Sequence, residues 1–307
     1  MSTHSCTSSK TSLRNLAWAA ILGGVPLAGI LAAPQTTAAN TVTSVYSLFN
    51  QNNAAAALNY AVFGLGGTNK TNVNLSAVTV YGNVAVGPDG NLALMAPSTI
   101  NGDIALDSTA TENASAGHYT GTLTTNNNFS TLTANIVNAS TQAQGLTPSQ
   151  TFSSITTATT ITGTAGLNVI QINGNINLNN ANLTFTSPAS GAQFIVNVSG
   201  SITLGGTASV VAGANVSDGN VLLNLYTNNG AVNTHVGDTI DGIVLAPTAS
   251  FNLDGIFNGE LISGGTSLAL LSNATVNYQT STVPEPASLA LLAIPAVGLL
   301  LRRKKIA

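Results

Sequence analysis

Two carboxylates four residues apart are the first side chains in this sequence that could do chemistry. Asp103 and Asp107 flank a short apolar run, and side chains four apart on a strand point to the same side. Paired carboxyl groups hydrolyse glycosidic bonds, one as the general acid and the other as the base or nucleophile. Polysaccharide-cleaving β-helices combine such acids with His, Arg or Lys, whereas residues 40–282 contain no arginine. We interpret both acids as groups that keep an outer face soluble, with a carbohydrate-active β-helix enzyme as an alternative.

A second polar cluster surrounds His235. The segment from Asn233 to Asp241 also carries Asp238, and an imidazole beside carboxylates can bind a metal ion or exchange protons. The acids lack the alternating spacing of a calcium-binding loop. No nucleophile elbow, zinc-protease helix, phosphate-binding loop or paired-cysteine motif occurs in the sequence. We interpret the segment as a solvated loop that enters a strand, and we predict a protein that is not an enzyme, without catalytic residues, metal site or cofactor.

The charge of the central segment argues against polyanionic partners. Residues 40–282 contain one cationic side chain, Lys70, against nine acids, which leaves a net charge of −8 with histidine neutral. Proteins that bind DNA or RNA neutralise phosphates with Lys and Arg, so we expect no nucleic-acid partner. Cys6 is the only cysteine, so a disulfide within this segment is excluded. The segment must therefore be stabilised by its apolar core and its backbone hydrogen bonds.

Residues 1–39 have the three parts of a secretory signal peptide. Lys10 and Arg14 precede an apolar run from Ala17 to Ala33, and small residues lead to Ala39. A cationic head, an apolar stretch and small side chains before the cleavage site are typical of export signals. We predict export and cleavage after Ala39, with a retained membrane anchor as the alternative.

Residues 283–307 form a second tripartite signal. In order, the tail carries a Pro-Glu-Pro motif, an apolar stretch and a basic end: Pro284, Glu285 and Pro286, then Ala287 to Leu301, then Arg302 and Arg303. Basic residues hold such a tail on the cytoplasmic side, and the apolar stretch is shorter than the roughly 20 residues of a permanent span. This tail resembles the PEP-CTERM sorting signal of Gram-negative bacteria, which an exosortase recognises. The resemblance implies the exosortase and the secretion machinery as partners, a short transmembrane helix that anchors the protein at least transiently, and a location at the cell surface or in the extracellular matrix.

Between these ends, residues 40–282 alternate apolar and polar side chains over many short runs. Val78-Thr79-Val80, Ile170-Gln171-Ile172 and Ile202-Thr203-Leu204 are examples, and this alternation is typical of strands with one buried face. Disordered polar segments lack such a repeated apolar face. The segment is therefore predicted to be one mainly β domain.

A recurring glycine pattern indicates how these strands are arranged. Apolar residues flank Gly-Asn, Gly-Asp or Gly-Ser pairs, and the closest copies are 20 residues apart from Gly82 to Gly102 and 26 apart from Gly174 to Gly200. Glycine permits a bend where a Cβ would clash, and such periods match one coil of a solenoid. We predict a right-handed parallel β-helix with one accessory helix, in which each coil lies on the coil before it. An antiparallel β-sandwich is the alternative.

Two segments show helical spacing instead. Apolar residues recur at i, i+3, i+7 and i+8 from Phe129, and Gly145 follows as a stop signal. We predict a helix from Asn128 to Gln144 that lies along the solenoid. A second short helix, from Ser44 to Phe49, is expected to cover the open end of the core, because an exposed coil edge would pair with other chains.

The central segment also resembles two families. Leu58 to Gly64, the glycine repeat from Val80 to Val86, Ile243 to Phe251 and Phe257 to Ile262 look like the choice-of-anchor A domain of bacterial surface proteins. That resemblance implies adhesion or collagen binding. Together with the sorting signal, it favours an adhesin-like or structural role, with an extracellular polysaccharide or a host or matrix protein as ligand. The Val-Leu-Ala-Pro stretch beginning at Val244 is also similar to ice-binding β-solenoids that carry a helix beside the coils.

Ice binding requires regular rows of hydroxyl or small groups. Thr160, Thr162 and Thr164 supply one such row, but no matching rows are evident at coil spacing. The leading interpretation is therefore a non-enzymatic, surface-anchored protein, adhesin-like or structural, and an ice-binding β-solenoid is the alternative.

Overall fold

A computed structural model describes residues 41–278, except 115–116, 228–229 and 272–273. The predicted signal peptide and the whole predicted C-terminal signal lie outside the described residues. In the described part, the chain winds into a three-sided solenoid of short strands with two α-helices along one side. No helix in this part is long and apolar enough to cross a membrane.

The strands belong to an N-terminal and a C-terminal set. The N-terminal strands are β1 (Val62–Gly64), β2 (Asn72–Ser76), β3 (Thr79–Tyr81), β4 (Val84–Val86), β5 (Asn91–Met95), β6 (Thr99–Asn101), β7 (Ile104–Asp107), β8 (Thr111–Ala114), β9 (His118–Tyr119) and β10 (Leu123–Asn127). The C-terminal strands are β11 (Gln150–Phe152), β12 (Thr159–Thr162), β13 (Leu167–Ile172), β14 (Ile176–Asn179), β15 (Asn182–Thr186), β16 (Gln193–Val198), β17 (Ile202–Gly205), β18 (Ser209–Ala212), β19 (Val221–Leu225), β20 (Ala231–Asn233), β21 (Thr239–Ala246), β22 (Ser250–Leu253), β23 (Ile256–Ser263), β24 (Ser267–Leu270) and β25 (Thr275–Asn277). The helices are α1 (Val45–Gln51) and α2 (Ser130–Gln144), and short 3-10 helices occur at Ala55–Asn59, Gly67–Asn69 and Asp218–Asn220.

Three faces follow from the strand pairings. An eight-stranded sheet, which we call the amide face, contains β2, β5, β8, β14, β17, β20, β22 and β24. The threonine face contains β3, β6, β9, β12, β15, β18, β25 and the first halves of β21 and β23, and the helix-covered face contains the other strands. All pairings between the described strands are parallel. This confirms the parallel solenoid and rules out the antiparallel sandwich, while its right-handed winding stays a prediction.

The coils do not stack in the order of the chain. Strand β1 pairs with β4 on one side, as expected, but with β23 on the other, where Val62 is opposite Leu261. The N-terminal coils therefore extend the stack beyond the last C-terminal coil. We call the junction between β1 and β23 the seam. The prediction that each coil lies on the coil before it is wrong there, because the chain returns to the far end of the stack after β10.

Helix α2 makes that return. Its contacts move along the stack: Asp107 accepts the Phe129 N–H, Thr133 donates to Leu65 O, and Ser140 bonds Asn224. The helix confirms the prediction for residues 128–144 and ends at Gly145. The Asp107 carboxylate accepts the Phe129 N–H, which has no partner inside the helix. The helix dipole also favours a negative charge at this end of α2.

A buried amide network fixes α2 on the helix-covered face. Asn224 Nδ2 donates to Asn197 Oδ1 (2.8 Å) and Ser140 O (3.0 Å), while Asn197 Nδ2 donates to Ala143 O at 2.7 Å. Ser140 Oγ completes the network by donating to Asn224 Oδ1 at 2.6 Å. Buried amides are costly unless they are bonded, so these contacts specify one position of the helix along the strands.

Helix α1 also lies on this side, which corrects two predictions. It begins after Ser44, whose side chain accepts the Ser47 N–H, and the Val45 N–H donates to Gln193 Oε1 of β16, a strand that is paired on both sides, with β13 and β19. Two α-helices are therefore accessory to the solenoid rather than one, and α1 does not cover an open end. The physical reason is apolar burial: Val45, Leu48 and Phe49 of this helix are buried against the outer side of the strands.

Two apolar cores result from this arrangement. Inward side chains such as Val196, Leu223 and Val244 fill the solenoid, and a second cluster with Ile195, Leu222 and Ile243 lies between the strands and the helices. Strands such as β16 and β19 therefore carry apolar residues on both sides, unlike the alternating strands of the open faces.

The glycine pattern marks two corners of the solenoid. At one corner, Asn83 Oδ1 accepts the Asp103 N–H (2.9 Å), and Asp103 Oδ1 accepts the Thr122 N–H (2.7 Å). At another, Asn175 Oδ1 accepts the Ser201 N–H at 2.9 Å. The residue after each glycine thus hydrogen-bonds the next coil. The predicted 20- and 26-residue periods are confirmed, since Val84 is opposite Ile104 and Ile176 is opposite Ile202, but the two pairs of copies belong to different corners.

The terminal coil at the β8 end has a charged residue in an inward position. Glu112 lies opposite the buried Leu92. A charge placed in line with an apolar column discourages another chain from extending the sheet. This end is therefore guarded by a residue of its own coil rather than by the predicted helix.

A buried acid lies at the seam. Glu260 of β23 is 1% exposed, and neither carboxyl oxygen has a hydrogen-bond partner among the described residues. Burial raises the pKa of Glu260 to about 8 from its ordinary value of 4.5, partly opposed by its own backbone N–H. Burial and the nearby Glu260 charge also raise the pKa of Tyr278, whose hydroxyl donates to Leu58 O.

We expect Gly200→Ala to lower the free energy of unfolding by about 1–3 kcal/mol, the usual cost of forcing atoms into a packed site. A Cβ at this corner would lie 2.1 Å from Asn175 Oδ1 and 2.7 Å from Gly174 O. Urea denaturation measures the change. Gly145→Ala is the matched control, because its backbone is already helical and its nearest atoms lie at 3.6 Å. Equal losses in the two variants would contradict the corner analysis.

Glu260→Gln should remove a pH dependence of stability. The unfolded chain releases the Glu260 proton near the ordinary pKa of 4.5, whereas the folded protein keeps it to about 8. Its stabilising contribution is therefore complete below the lower value and is lost as pH rises through the higher one. At alkaline pH we expect the variant to exceed the wild type by several kcal/mol, on the order of the pKa difference, and to match it near pH 4. Urea unfolding at several pH values across this range measures the difference. If the free energies of unfolding of the two proteins change with pH in parallel, the assignment is wrong.

Candidate binding surface

The structure does not bring Asp103 and Asp107 together as a catalytic pair. Asp103 is exposed, and its Oδ1 accepts the Thr122 N–H and hydroxyl at 2.7 and 2.9 Å. These two bonds, the backbone one first, lower the pKa of Asp103. Asp107 is 3% exposed and accepts the N–H groups of Phe129 and Thr109. Each carboxylate is therefore engaged by backbone groups of its own corner or helix.

Burial and hydrogen bonding act in opposite directions on Asp107. Burial alone would raise the pKa of its carboxyl, but the N–H groups of Phe129 and Thr109 and the hydroxyls of Thr109 and Ser108 outweigh burial and lower the pKa. A general acid needs a raised pKa. Asp107 has the electrostatics of a structural acceptor, so the geometry offers the hydrolase alternative no acid at this position.

The His235 cluster is likewise a set of corner contacts. Asp238 is 1% exposed, and its carboxylate accepts the Ala208 N–H at 2.9 Å and the His235 N–H at 2.7 Å. The His235 ring contacts Leu204 O through Nδ1 at 2.7 Å. Asp241 accepts the Ala212 N–H and the Asn258 amide. Among the described residues, no group of three or more His, Cys, Asp or Glu side chains could hold a metal ion.

Two faces of the solenoid are left uncovered by the helices. On the amide face, the outward residues form rows that run across the strands in register. The central row contains Asn177, Thr203, Asn233, Asn252, Ala269, Asn74, Ala93 and Asn113. A parallel row contains Ala231, Ser250, Ser267, Asn72, Asn91 and Thr111. Both rows are uncharged and consist of short side chains.

Hydrogen bonds between coils order parts of these rows. Asn91 Nδ2 donates to Asn72 Oδ1 at 2.8 Å, and Thr111 Oγ1 donates to Asn91 Oδ1 at 3.0 Å. Asn74 is different: its Oδ1 is buried and accepts no hydrogen bond from the described residues. It lies between Ala269 and Ala93 in the central row, so an acceptor without a partner occupies the middle of the face.

The threonine face carries rows that the sequence alone did not reveal. Thr160 and Thr162 are opposite Thr184 and Thr186 of the next coil. A longer row contains Asn182, Ser209, Thr239, Ile256, Thr275, Thr79, Thr99 and His118. The expectation that no hydroxyl rows occur at coil spacing is wrong, because this row crosses the seam and joins residues from both ends of the sequence.

These features define a class: a non-sequentially stacked β-solenoid with helices on one side and polar, regularly spaced side chains on the others. The chain belongs to the family described as "Putative Ice-binding-like adhesive domain", whose sequence model matches residues 37–278. The match covers both sets of coils and α2. That description refers to binding and adhesion rather than to a catalysed reaction.

Solved structures share this fold. An ice-binding protein from the Antarctic ascomycete Antarctomyces psychrotrophicus has 16% identity and a TM-score of 0.54, over 74% of this chain and 98% of that one. An ice-binding protein from an Antarctic bacterium of the Flavobacteriaceae has 19% identity and a TM-score of 0.56, over 75% of this chain and 48% of that one. One from an Antarctic biological consortium has 16% identity and a TM-score of 0.50, over 72% and 88%. No curated protein matches the sequence.

Proposed function

We propose that this protein is an exported, non-enzymatic surface binder whose amide face recognises ice. The observation that carries the proposal is the register of that face, where uncharged amide, hydroxyl and methyl groups repeat across eight paired strands. Neighbouring strands lie about 4.8 Å apart. A crystal of water presents hydrogen-bonding groups at a comparable, regular spacing, so each coil adds one more matched contact.

The chemistry of the rows supports this ligand. Charged groups hold their own hydration shells and resist transfer to an ice surface, and the two outward rows of this face contain none. Ala269 and Ala93, which flank Asn74 in the central row, have small side chains that do not project from the face. The fold shared with ice-binding proteins and the family's description agree with this proposal.

We also propose that the ends of the chain place this domain at the cell surface. The tail with Pro284, Glu285, Pro286, Arg302 and Arg303 would be sorted by an exosortase of a Gram-negative cell, and the membrane contact would be at least transient. The resemblance to choice-of-anchor A proteins fits an adhesive role. A surface-anchored protein that binds ice is an adhesin whose substrate is a crystal.

Ala269→Tyr should abolish most ice binding. A phenol ring in the centre of the amide face would hold ice away from the neighbouring rows, while leaving both cores unchanged. Thermal hysteresis of the purified chain from residue 40 to residue 282 measures the effect. Thr275→Tyr, which introduces the same ring at a partly exposed position of the threonine face, is the control and should retain activity. Absence of thermal hysteresis in the wild type at high concentration would refute the proposal.

Deletion of residues 284–307 should change the location of the protein without affecting its export. We expect the full chain in the cell-envelope or surface-matrix fraction and the truncated chain in the medium, because the tail carries the predicted membrane contact. Fractionation of cells that produce either form, followed by immunoblotting, makes the comparison. Recovery of both forms from the cytosol would rule out the predicted signal peptide.

A further inference from the structure

An aromatic side chain protrudes from the threonine face. Tyr81 is 52% exposed and lies in a row whose register is Asp241, Asn258, Asn277, Tyr81 and Asn101. The row of Thr275, Thr79 and Thr99 runs beside it, two residues away on the same strands. An exposed ring is thus flanked by an amide on the preceding coil, an amide on the following coil, and a line of hydroxyls.

The hydrogen bonds of this row have a direction. Asn258 Nδ2 donates to Asp241 Oδ1 at 2.8 Å, and Asn277 Nδ2 donates to Asn258 Oδ1 at 2.9 Å. The series ends at Asn277, whose Oδ1 accepts no hydrogen bond from the described residues. The Asn101 amide on the other side of Tyr81 also makes none within the described part of the chain. Donors and acceptors for a ligand therefore lie about one strand spacing, ~4.8 Å, to either side of the ring.

This combination is the chemistry that binds sugars. The C–H groups on one face of a pyranose ring stack on an aromatic ring, while its hydroxyls exchange hydrogen bonds with amides and hydroxyls. Ile256 is exposed on the neighbouring row, two coils from Thr79. Two coils span ~10 Å, which is close to the disaccharide repeat of an extended β-linked chain. A linear polysaccharide lying along the solenoid axis would therefore meet two apolar contacts about one repeat apart, Ile256 and Tyr81, on adjacent rows.

Charge selects among such polymers. Lys70 is the only cationic side chain in residues 40–282, and Asp241 lies at one end of the row. Anionic polysaccharides would find no counter-charge and would be repelled. We propose that the strip formed by Tyr81, Asn101, Asn277, Thr79, Thr99 and Thr275 binds a neutral, extended polysaccharide. This surface is separate from the amide face, so the inference goes beyond ice binding and does not depend on it.

The test uses the full chain and insoluble cellulose as the neutral probe, with alginate beads as the anionic one. We expect binding to cellulose and none to alginate. Tyr81→Ala should weaken binding to cellulose about tenfold, the upper end of what one aromatic contact contributes, whereas Tyr81→Trp should preserve it. Met95→Ala is the matched control, because Met95 is 42% exposed on the amide face.

Three results would overturn the inference: no retention of the wild type on cellulose, equal affinity of Tyr81→Ala and wild type, or retention on alginate as strong as on cellulose. Circular dichroism and urea midpoints confirm that each variant is folded. The Ala269→Tyr variant separates the two proposals, since it should lose thermal hysteresis and keep cellulose binding. If the wild type shows only one of the two activities, the proposal for the other surface is wrong.

Discussion

The parallel pairing of β1 with β23 joins the N-terminal and C-terminal coils into one stack. Without it, the N-terminal and the C-terminal set would each end in an uncovered edge with unpaired N–H and C=O groups. The apolar interior of each set would also be exposed at that edge. The pairing also makes the outward rows continuous. Asn74 lies beside Ala269 and Thr79 beside Thr275 only because β2 and β3 follow β1 onto the same coil. Both proposed binding surfaces therefore depend on this seam.

Glu260 is a buried acid without a hydrogen-bond partner among the described residues, and it destabilises this junction when it is ionised. Other acids of the described chain, such as Asp103, Asp107 and Asp238, accept backbone N–H groups and help to close corners or begin a helix. Glu260 has no such partner among the described residues, and burial raises its pKa to about 8, which favours the neutral form at neutral pH. A neutral acid is tolerated in an apolar setting, whereas its ionised form is not. The stability of the seam is thereby linked to pH.

The two open faces use the same backbone for different surface chemistry. The amide face is uncharged along its rows, which suits an extended crystalline surface. The threonine face carries Tyr81 and Ile256 as protrusions on its adjacent rows, which suits a narrow chain, whereas Met95 protrudes from the amide face beside its two uncharged rows. The helix-covered face is excluded from either role, because α1 and α2 bury its outward residues. Under the two proposals each face engages a different solid, which would give the domain a physical basis for adhesion.

Local properties of the sequence determined the secondary structure and the class of fold. Alternating apolar residues predicted the strands, the glycine pairs predicted the corners and coil lengths, and the spacing from Phe129 predicted α2. These signals act over a few residues or one coil, so they can be recognised in the chain itself. Composition alone likewise argued against nucleic acids, because residues 40–282 contain no arginine and a single lysine.

Only the tertiary structure decided which coils are neighbours. The order of the stack depends on long-range pairing between β1 and β23, about 200 residues apart in sequence, and no local pattern specifies it. The long rows that cross the seam were missed for that reason: Thr79 and Thr275 look unrelated in the sequence. Likewise, Asp103 and Asp107 resemble a catalytic pair at four-residue spacing, and burial and hydrogen bonding alone show that they are structural. Side-chain surroundings, rather than spacing, determine the chemistry of an acid.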